Sequence, residues 1–244
     1  SMETRGAIGS VESDGRLALH VSCQGVHIMR RILAAQIFNV EENQILVTCD
    51  DVGGGFGMKI FLFPEYVCVL FATKKLGRPV KWISERSEAF LCDSHGRDHV
   101  SNLKLAVDDN AKILGLKVST TANLGAYLSN FGPFVPTDAG VSMLVGCYAI
   151  PTAYVEVKGV FTNTAPVDAY RGAGRPEAIY AIERLLDVAA YDLGITPAEI
   201  RKRNFISGSA MPFETVLGSN YDSGEFEKNL DDALEAANWN DFES

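Results

Sequence analysis

The sequence predicts an α+β fold, with mixed sheets and helices packed on them. Three observations point there. A β-α-β-α-β pattern fills the first 84 residues, a hairpin signal sits at Asp108-Asp109-Asn110, and an amphipathic helix starts at Pro176. In order, the alternating segment LALHVSCQ reads as a strand, and helical spacing governs Val26 to Phe38. ILVTCD at 45–50 is a β-branched strand running into a glycine cluster. Between Phe63 and Gly77, Pro64 suits the first turn of a helix, Lys74 and Lys75 its last turn, and Gly77 its C-cap. VKWIS at 80–84 is the next strand.

The two runs flanking Asp108-Asp109-Asn110 read as a β-hairpin. Gly132 to Ile150 opens Gly- and Pro-rich and then turns helical, and TAYVEVKGVFTN alternates as a strand. The helix from Pro176 to about Leu193 places Ile179, Ile182, Leu185, Leu186 and Ala189 on one face, and Gly194 closes it. Thr196, Pro197 and Glu199 form an N-cap, N1 proline and capping-box glutamate for a helix to about Asn204. After Ile206 the chain reads as extended, with a final acidic helix from Phe226 to Trp239. A glycine turn beside a helix in each half hints at a duplicated plan.

Composition narrows the function. Of 244 residues, 47% are hydrophobic, enough to build a core, so disorder is excluded as the main state. A net charge of −9 argues against nucleic acid as the main partner. No apolar run reaches the ~20 residues that cross a bilayer, and no signal peptide is visible. The five cysteines contain no CxxC, so they read as scattered thiols in a reducing, cytoplasmic setting rather than a zinc site or disulfide framework.

Two stretches carry chemistry. In Asp51-Val52-Gly53-Gly54-Gly55-Phe56-Gly57, four glycines in five positions follow a strand, so main-chain N–H groups can approach a ligand without Cβ interference. The spacing fits neither a Walker A loop nor the GxGxxG dinucleotide fingerprint. In Ala169-Tyr170-Arg171-Gly172-Ala173-Gly174-Arg175-Pro176, two arginines and two glycines precede a helix N-terminus, a natural place for an anion. Each stretch has a plainer reading, a tight packing turn for the first and a surface loop for the second. Gln24-Gly25, taken alone, reads as surface. His95-Gly96-Arg97-Asp98-His99 lacks a third ligand, so no metal site is predicted.

Taken together, Gln24-Gly25, DVGGGFGMK, LGRPVKW, LGAY, TNTAPVDAYRGAGRPEA, ERLLDVAA and the RKRN run resemble the molybdenum hydroxylases, the family of xanthine dehydrogenase, aldehyde oxidase and aerobic carbon monoxide dehydrogenase. The resemblance covers about Thr4 to the C-terminus. It implies that residues 1–206 form the first molybdenum-cofactor-binding domain of a large subunit, and that residues 207–244 are a connecting segment with a C-terminal helix. It also implies a molybdenum-pterin cofactor, expected in a dinucleotide form. Gln24 matches the family glutamine that hydrogen-bonds an oxo ligand. Gly55, Phe56 and Gly57 match the turn beside the metal, and Arg171, Gly172, Ala173 and Gly174 match the second cofactor loop. No side chain is expected to ligate the metal. The implied partners are an iron–sulfur subunit or domain, an FAD subunit or domain, and a small-molecule substrate, with no nucleic acid or membrane.

Departures from the family shape the expected substrate. Gly172 stands where carbon monoxide dehydrogenases carry a copper-bridging cysteine, which argues against CO oxidation. Ile60 stands where xanthine dehydrogenases carry a substrate glutamate, no arginine lies near Ala139 or Gly140, and Ala173 replaces an aromatic. These point to an aldehyde or an aromatic N-heterocycle that is hydroxylated with water-derived oxygen. The family's catalytic base is a glutamate far downstream, so no catalytic residue is expected within these 244 residues. The chain is expected to be a fragment, inactive alone and without bound cofactor. The competing reading is a non-catalytic domain that binds an anionic nucleotide or a partner protein.

Overall fold

The computed structural model describes residues 1–242 and divides into two compact units, each assembled from several stretches of chain. The first comprises Ser1–Gly96, Gly125–Gly132 and Thr162–Arg171. Its elements are β1 (Gly6–Val11), β2 (Leu17–Val21), α1 (Val26–Ile32), β3 (Ile45–Thr48), α2 (Pro64–Leu76), β4 (Val80–Ile83) and α3 (Arg86–Cys92). The sheet order is β3-β2-β1-β4. β1 pairs antiparallel with β2 and β4, with Ala7 opposite Val21 and Trp82. β2 and β3 run parallel, joined by the α1 crossover, with Leu19 opposite Val47.

Two sequence expectations change here. The helix expected over Val26–Phe38 is α-helical only to Ile32 and continues as a π-helix from Leu33 to Phe38, closed by Asn39 in the left-handed region. The β-α-β-α-β pattern also gains a leading strand, β1, and a trailing helix, α3. α2 follows its signals closely, with Pro64 in its first turn and Gly77 at φ 63° as its cap. It lies so close over β1 that a Cβ on Gly9 would stand 2.5 Å from the Thr73 hydroxyl. Leu19, Leu33, Tyr66 and Leu70 are fully buried in the core between sheet and helices. Arg5 is buried too: its guanidinium forks onto Glu65 at 2.9 and 3.1 Å, reaches Asp93 at 2.6 Å and lies 3.8 Å from the Phe63 ring centre. Such pairing is what makes a buried cation tolerable.

The second unit comprises Arg97–Leu124, Pro133–Phe161 and Gly172–Ser244, described here to Phe242. It contains β5 (His99–Val107), β6 (Ile113–Asn123), β7 (Ala153–Val160), α4 (Arg175–Leu193), α5 (Pro197–Asn204), the two-residue strands β8 (Phe213–Glu214) and β9 (Asn220–Tyr221), α6 (Phe226–Ala236) and α7 (Trp239–Phe242). The predicted hairpin is β5–β6. Asp108 accepts the N–H groups of Asn110 and Lys112 at 2.9 and 2.8 Å and so shapes its turn. β7 adds parallel to β6. Gly132–Ile150 holds a π-helical turn at Val135–Ala139 and further turns, where a helix was expected.

α4 starts at Arg175, one residue before the predicted start, and ends on Gly194 at φ 67°. Its buried stripe is Ala178, Ile182, Leu186 and Ala190, while Ile179, expected on that face, is exposed. Thr196 caps α5 by accepting the Glu199 N–H at 3.1 Å, and Asn204 ends it with three buried hydrogen bonds. The final helix breaks after Ala236 instead of reaching Trp239, and Glu243 and Ser244 lie outside the described residues. Among the described residues no helix is long and apolar enough to cross a membrane.

Candidate functional site

In the first unit, β3 delivers the chain to the glycine loop, and the loop folds back on the residue that follows β2. Phe56 and Gly57 take φ values of 52° and 93°, and Gly54 takes 90°. A left-handed phenylalanine is uncommon and costs backbone energy. Here it leaves the Phe56 side chain 41% exposed, with its ring 6.3 Å from that of Tyr170. The Gly57 N–H donates to Gln24 Oε1 at 2.9 Å. In that bond Oε1 is the acceptor, which assigns Nε2 as the donor end of the amide. A Cβ on Gly55 would fall 2.3 Å from Gln24 Oε1, and one on Gly57 would fall 2.8 Å from the Ala169 carbonyl. At Gly57, with φ 93° and a backbone carbonyl against it, the close approach is open only to glycine, while at Gly55 a Cβ would displace the Gln24 side chain.

The Arg171 N–H donates to the Phe56 carbonyl at 2.9 Å. Three segments far apart in sequence, at Gln24, Gly55–Gly57 and Arg171, therefore meet in one unit, with exposed Gln24 and Arg171 side chains beside them. Gly172, Ala173 and Gly174 belong to the second unit, where they take φ 95°, 42° and 86° ahead of α4. A Cβ on Gly174 would lie 2.3 Å from the Val135 carbonyl. The Arg175 N–H and guanidinium both turn back to the Gly172 carbonyl, at 3.2 and 3.3 Å. In the first turn of α4 the Arg175 N–H is thus taken, Pro176 has none, and no side chain caps the helix.

The positions that the family resemblance ties to substrate choice are apolar or small in this chain. Ile60 packs on the core of the first unit, Ala139 is buried, and a Cβ on Gly140 would meet the Val135 carbonyl at 3.2 Å. Sequence reading passes over three polar residues against the glycine loop. Glu3 accepts from the Gly53 N–H at 2.9 Å, from the Ser22 hydroxyl at 2.5 Å and from the Lys59 ammonium at 2.5 Å. Lys59 is fully buried. The legible signal was a single charge inside the apolar run Met58 to Phe63. These contacts, with Lys59 first, hold the Glu3 carboxyl well below its ordinary value, at about 2.

A β-α-β crossover thus runs into a turn with left-handed Gly54, Phe56 and Gly57, with a side-chain amide hydrogen-bonded to it and the main chain of an arginine at its edge, an arrangement that lets a ligand approach the backbone closely. The chain belongs to the molybdopterin cofactor-binding domain family, whose model matches residues 1–205. It is 37% identical over 241 residues to the carbon monoxide dehydrogenase large chain of Hydrogenophaga pseudoflava, covering 98% of this chain and 30% of that one. It is 36% identical to subunit gamma of the 6-hydroxypseudooxynicotine dehydrogenase complex of Paenarthrobacter nicotinovorans, covering 89% of this chain and 28% of that one. Quinoline 2-oxidoreductase from Pseudomonas putida 86 superposes with a TM-score of 0.93 at 34% identity, covering 99% of this chain and 31% of that one. The chain thus spans about a third of the length of these relatives.

Proposed function

We propose that this chain is the cofactor-binding part of the large subunit of a molybdenum hydroxylase that oxidises an aldehyde or an N-heterocycle with water-derived oxygen. Residues 1–206 are its first cofactor domain and 207–244 the segment leading onward. The cofactor is a molybdenum-pterin in dinucleotide form, and iron–sulfur and FAD subunits or domains take the electrons onward in the cytoplasm. When bound, the cofactor supplies the two-electron redox chemistry and the oxygen that is inserted.

The chain's own residues position that group. Gln24 Nε2 donates toward it, held in place by its Oε1 bond to Gly57. Gly55, Phe56 and Gly57 offer a backbone wall that a Cβ would fill. Arg171, its main chain bonded to that wall, would bring its charge to the group, and Gly172, Ala173 and Gly174 form the left-handed turn before the α4 N-terminus. The apolar Ile60 and the lack of a nearby purine-binding arginine favour a substrate less polar than xanthine. Gly172 in place of a cysteine leaves no thiolate for copper, which separates the chain from CO oxidation despite the likeness to a carbon monoxide dehydrogenase. The name of quinoline 2-oxidoreductase supports an N-heterocycle, and that of a dehydrogenase complex subunit supports a multi-subunit assembly.

The observation that carries this reading is the convergence of Gln24, the Gly55–Gly57 turn and Arg171 through two hydrogen bonds donated by main-chain N–H groups, one to the Gln24 side chain and one to the Phe56 carbonyl. Metal and phosphate analysis of the complete protein tests it. Molybdenum with a second phosphate and a released nucleotide is expected; a preparation free of molybdenum and pterin, made by a host that loads related enzymes, refutes it.

A further inference from the structure

The glycine loop carries almost no side chains of its own, so residues elsewhere must hold its shape. At its far end Gln24 takes the Gly57 N–H. At its near end the acceptor is Glu3, which precedes β1 by two residues. Their backbones touch as well: the Glu3 N–H reaches the Gly53 carbonyl at 3.4 Å, and a Cβ on Gly53 would lie 2.5 Å from Glu3 Cβ.

Lys59 joins the two ends. Its ammonium, buried completely, donates to Glu3 and to the Ser22 hydroxyl at 3.0 Å. Its carbonyl accepts the Gln24 N–H at 3.0 Å. One residue thus binds Glu3 through its side chain and Gln24 through its backbone. A fully buried ammonium is costly unless paired, and an apolar residue of the same length would fill the space with no such demand. The charge is there for Glu3, and Glu3 is there for the loop.

We propose that Glu3 and Lys59 are positioning residues that fix the Gly53–Gly57 loop in the conformation that receives the cofactor. The role rests on the cofactor reading above; the pinning of the loop does not. Glu3 orients its carboxylate through Ser22 and Lys59, presents one oxygen to Gly53, and so sets the direction in which the following left-handed residues turn.

Hydrogen exchange on the complete protein carrying this chain, freed of cofactor, separates the two. In Glu3→Ala and in Lys59→Met, peptides spanning 53–57 should exchange about tenfold faster, while those spanning Leu17–Val21 and Ile45–Thr48 keep their rates. Glu3→Gln retains an acceptor for Gly53 and should recover most of the protection. In cofactor-loaded preparations molybdenum occupancy should fall in the first two variants and recover in Glu3→Gln. Should Glu3→Ala fail to fold, the comparison of Lys59→Met with Glu3→Gln carries the test. Unchanged loop exchange, or faster exchange spread over the strands, overturns the proposal and leaves the pair as an ordinary core contact. Faster loop exchange with full occupancy also overturns it, provided that Arg171→Ala loses molybdenum. If Arg171→Ala and the loop variants all keep full occupancy, the cofactor reading fails while the pinning of the loop stands.

Discussion

Arg171 is the residue on which the cofactor reading turns. Its N–H is committed to the Phe56 carbonyl, so its backbone is fixed to the glycine loop while its side chain lies exposed. A charge-assisted hydrogen bond from that guanidinium contributes roughly 1.5–3 kcal/mol. Arg171→Ala should therefore lower molybdenum occupancy of the complete enzyme about ten- to a hundredfold, at ~1.4 kcal/mol per decade. Arg171→Lys should lower it less, because an ammonium loses the planar fork. Thermal unfolding of both variants should match wild type, since the side chain is outside the core. Metal content that stays stoichiometric in both mutants would show a solvated arginine. The predicted residues Gln24, Gly55, Phe56 and Gly57 sit beside it, and recognition of the whole motif order found them, where each alone had a plain reading. Lys59 leaves one trace, a charge in an apolar run, but its pairing with Glu3 was not legible, because a contact spanning 56 residues leaves no local pattern.

At the scale of elements, signals in the sequence were reliable where local chemistry decides. α2 and α5 begin on their prolines and the β5–β6 hairpin turns at its aspartate, as expected. Elements were missed where packing decides. β1 reads GAIGSV, whose two glycines hide the alternation. α3 is capped by Glu85 with Glu88, an unusual cap residue. The π-helical end of α1 keeps helical spacing, so no residue count announces it. Ile179 and Ala178 are neighbours on α4, and which one turns inward depends on the sheet beneath.

Two variants probe such elements. Asn204 bonds the Ile113 N–H and the carbonyls of Ala111 and Ile200, each at 2.8 Å. Asn204→Ala strands an amide and a carbonyl in the interior, so urea unfolding should reveal a loss of about 3 kcal/mol. Gly57→Ala places a Cβ against the Ala169 carbonyl at φ 93°. It should cost about 1–3 kcal/mol and reduce molybdenum occupancy together with stability, unlike Arg171→Ala.

For the whole molecule, titratable groups with shifted pKa values set opposite limits in pH. The Lys59 contact depresses the Glu3 carboxyl to about 2, and the Arg5 hydrogen bonds outweigh burial to depress that of Glu65. Stability from both is present above their ordinary 4.5; that from Glu3 is lost as pH falls toward about 2, and that from Glu65 is lost as pH falls below 4.5. Burial instead raises the Cys147 thiol to about 11 and raises the Tyr66 and Tyr148 hydroxyls. Stability from keeping Cys147 neutral is present below its ordinary 9.0 and is lost as pH rises toward 11. Burial holds the His99 imidazole below its ordinary 6.5, so its contribution is lost as pH falls below that value, and melting temperature should be flat between about 6.5 and 8.5, falling on either side; a maximum at the acidic isoelectric point would contradict this. The interleaving of the units also bears on synthesis. The first unit needs Phe131, whose ring meets Phe61 at 6.1 Å, and Asp168, which accepts the Phe131 N–H at 2.9 Å. Ribosomes emit about 5–20 residues per second, so Gly96 precedes Arg171 by roughly 4–15 s. For that interval the nascent chain holds a sheet and helices that lack the two later segments packed on them, a client for chaperones until translation brings the missing pieces out.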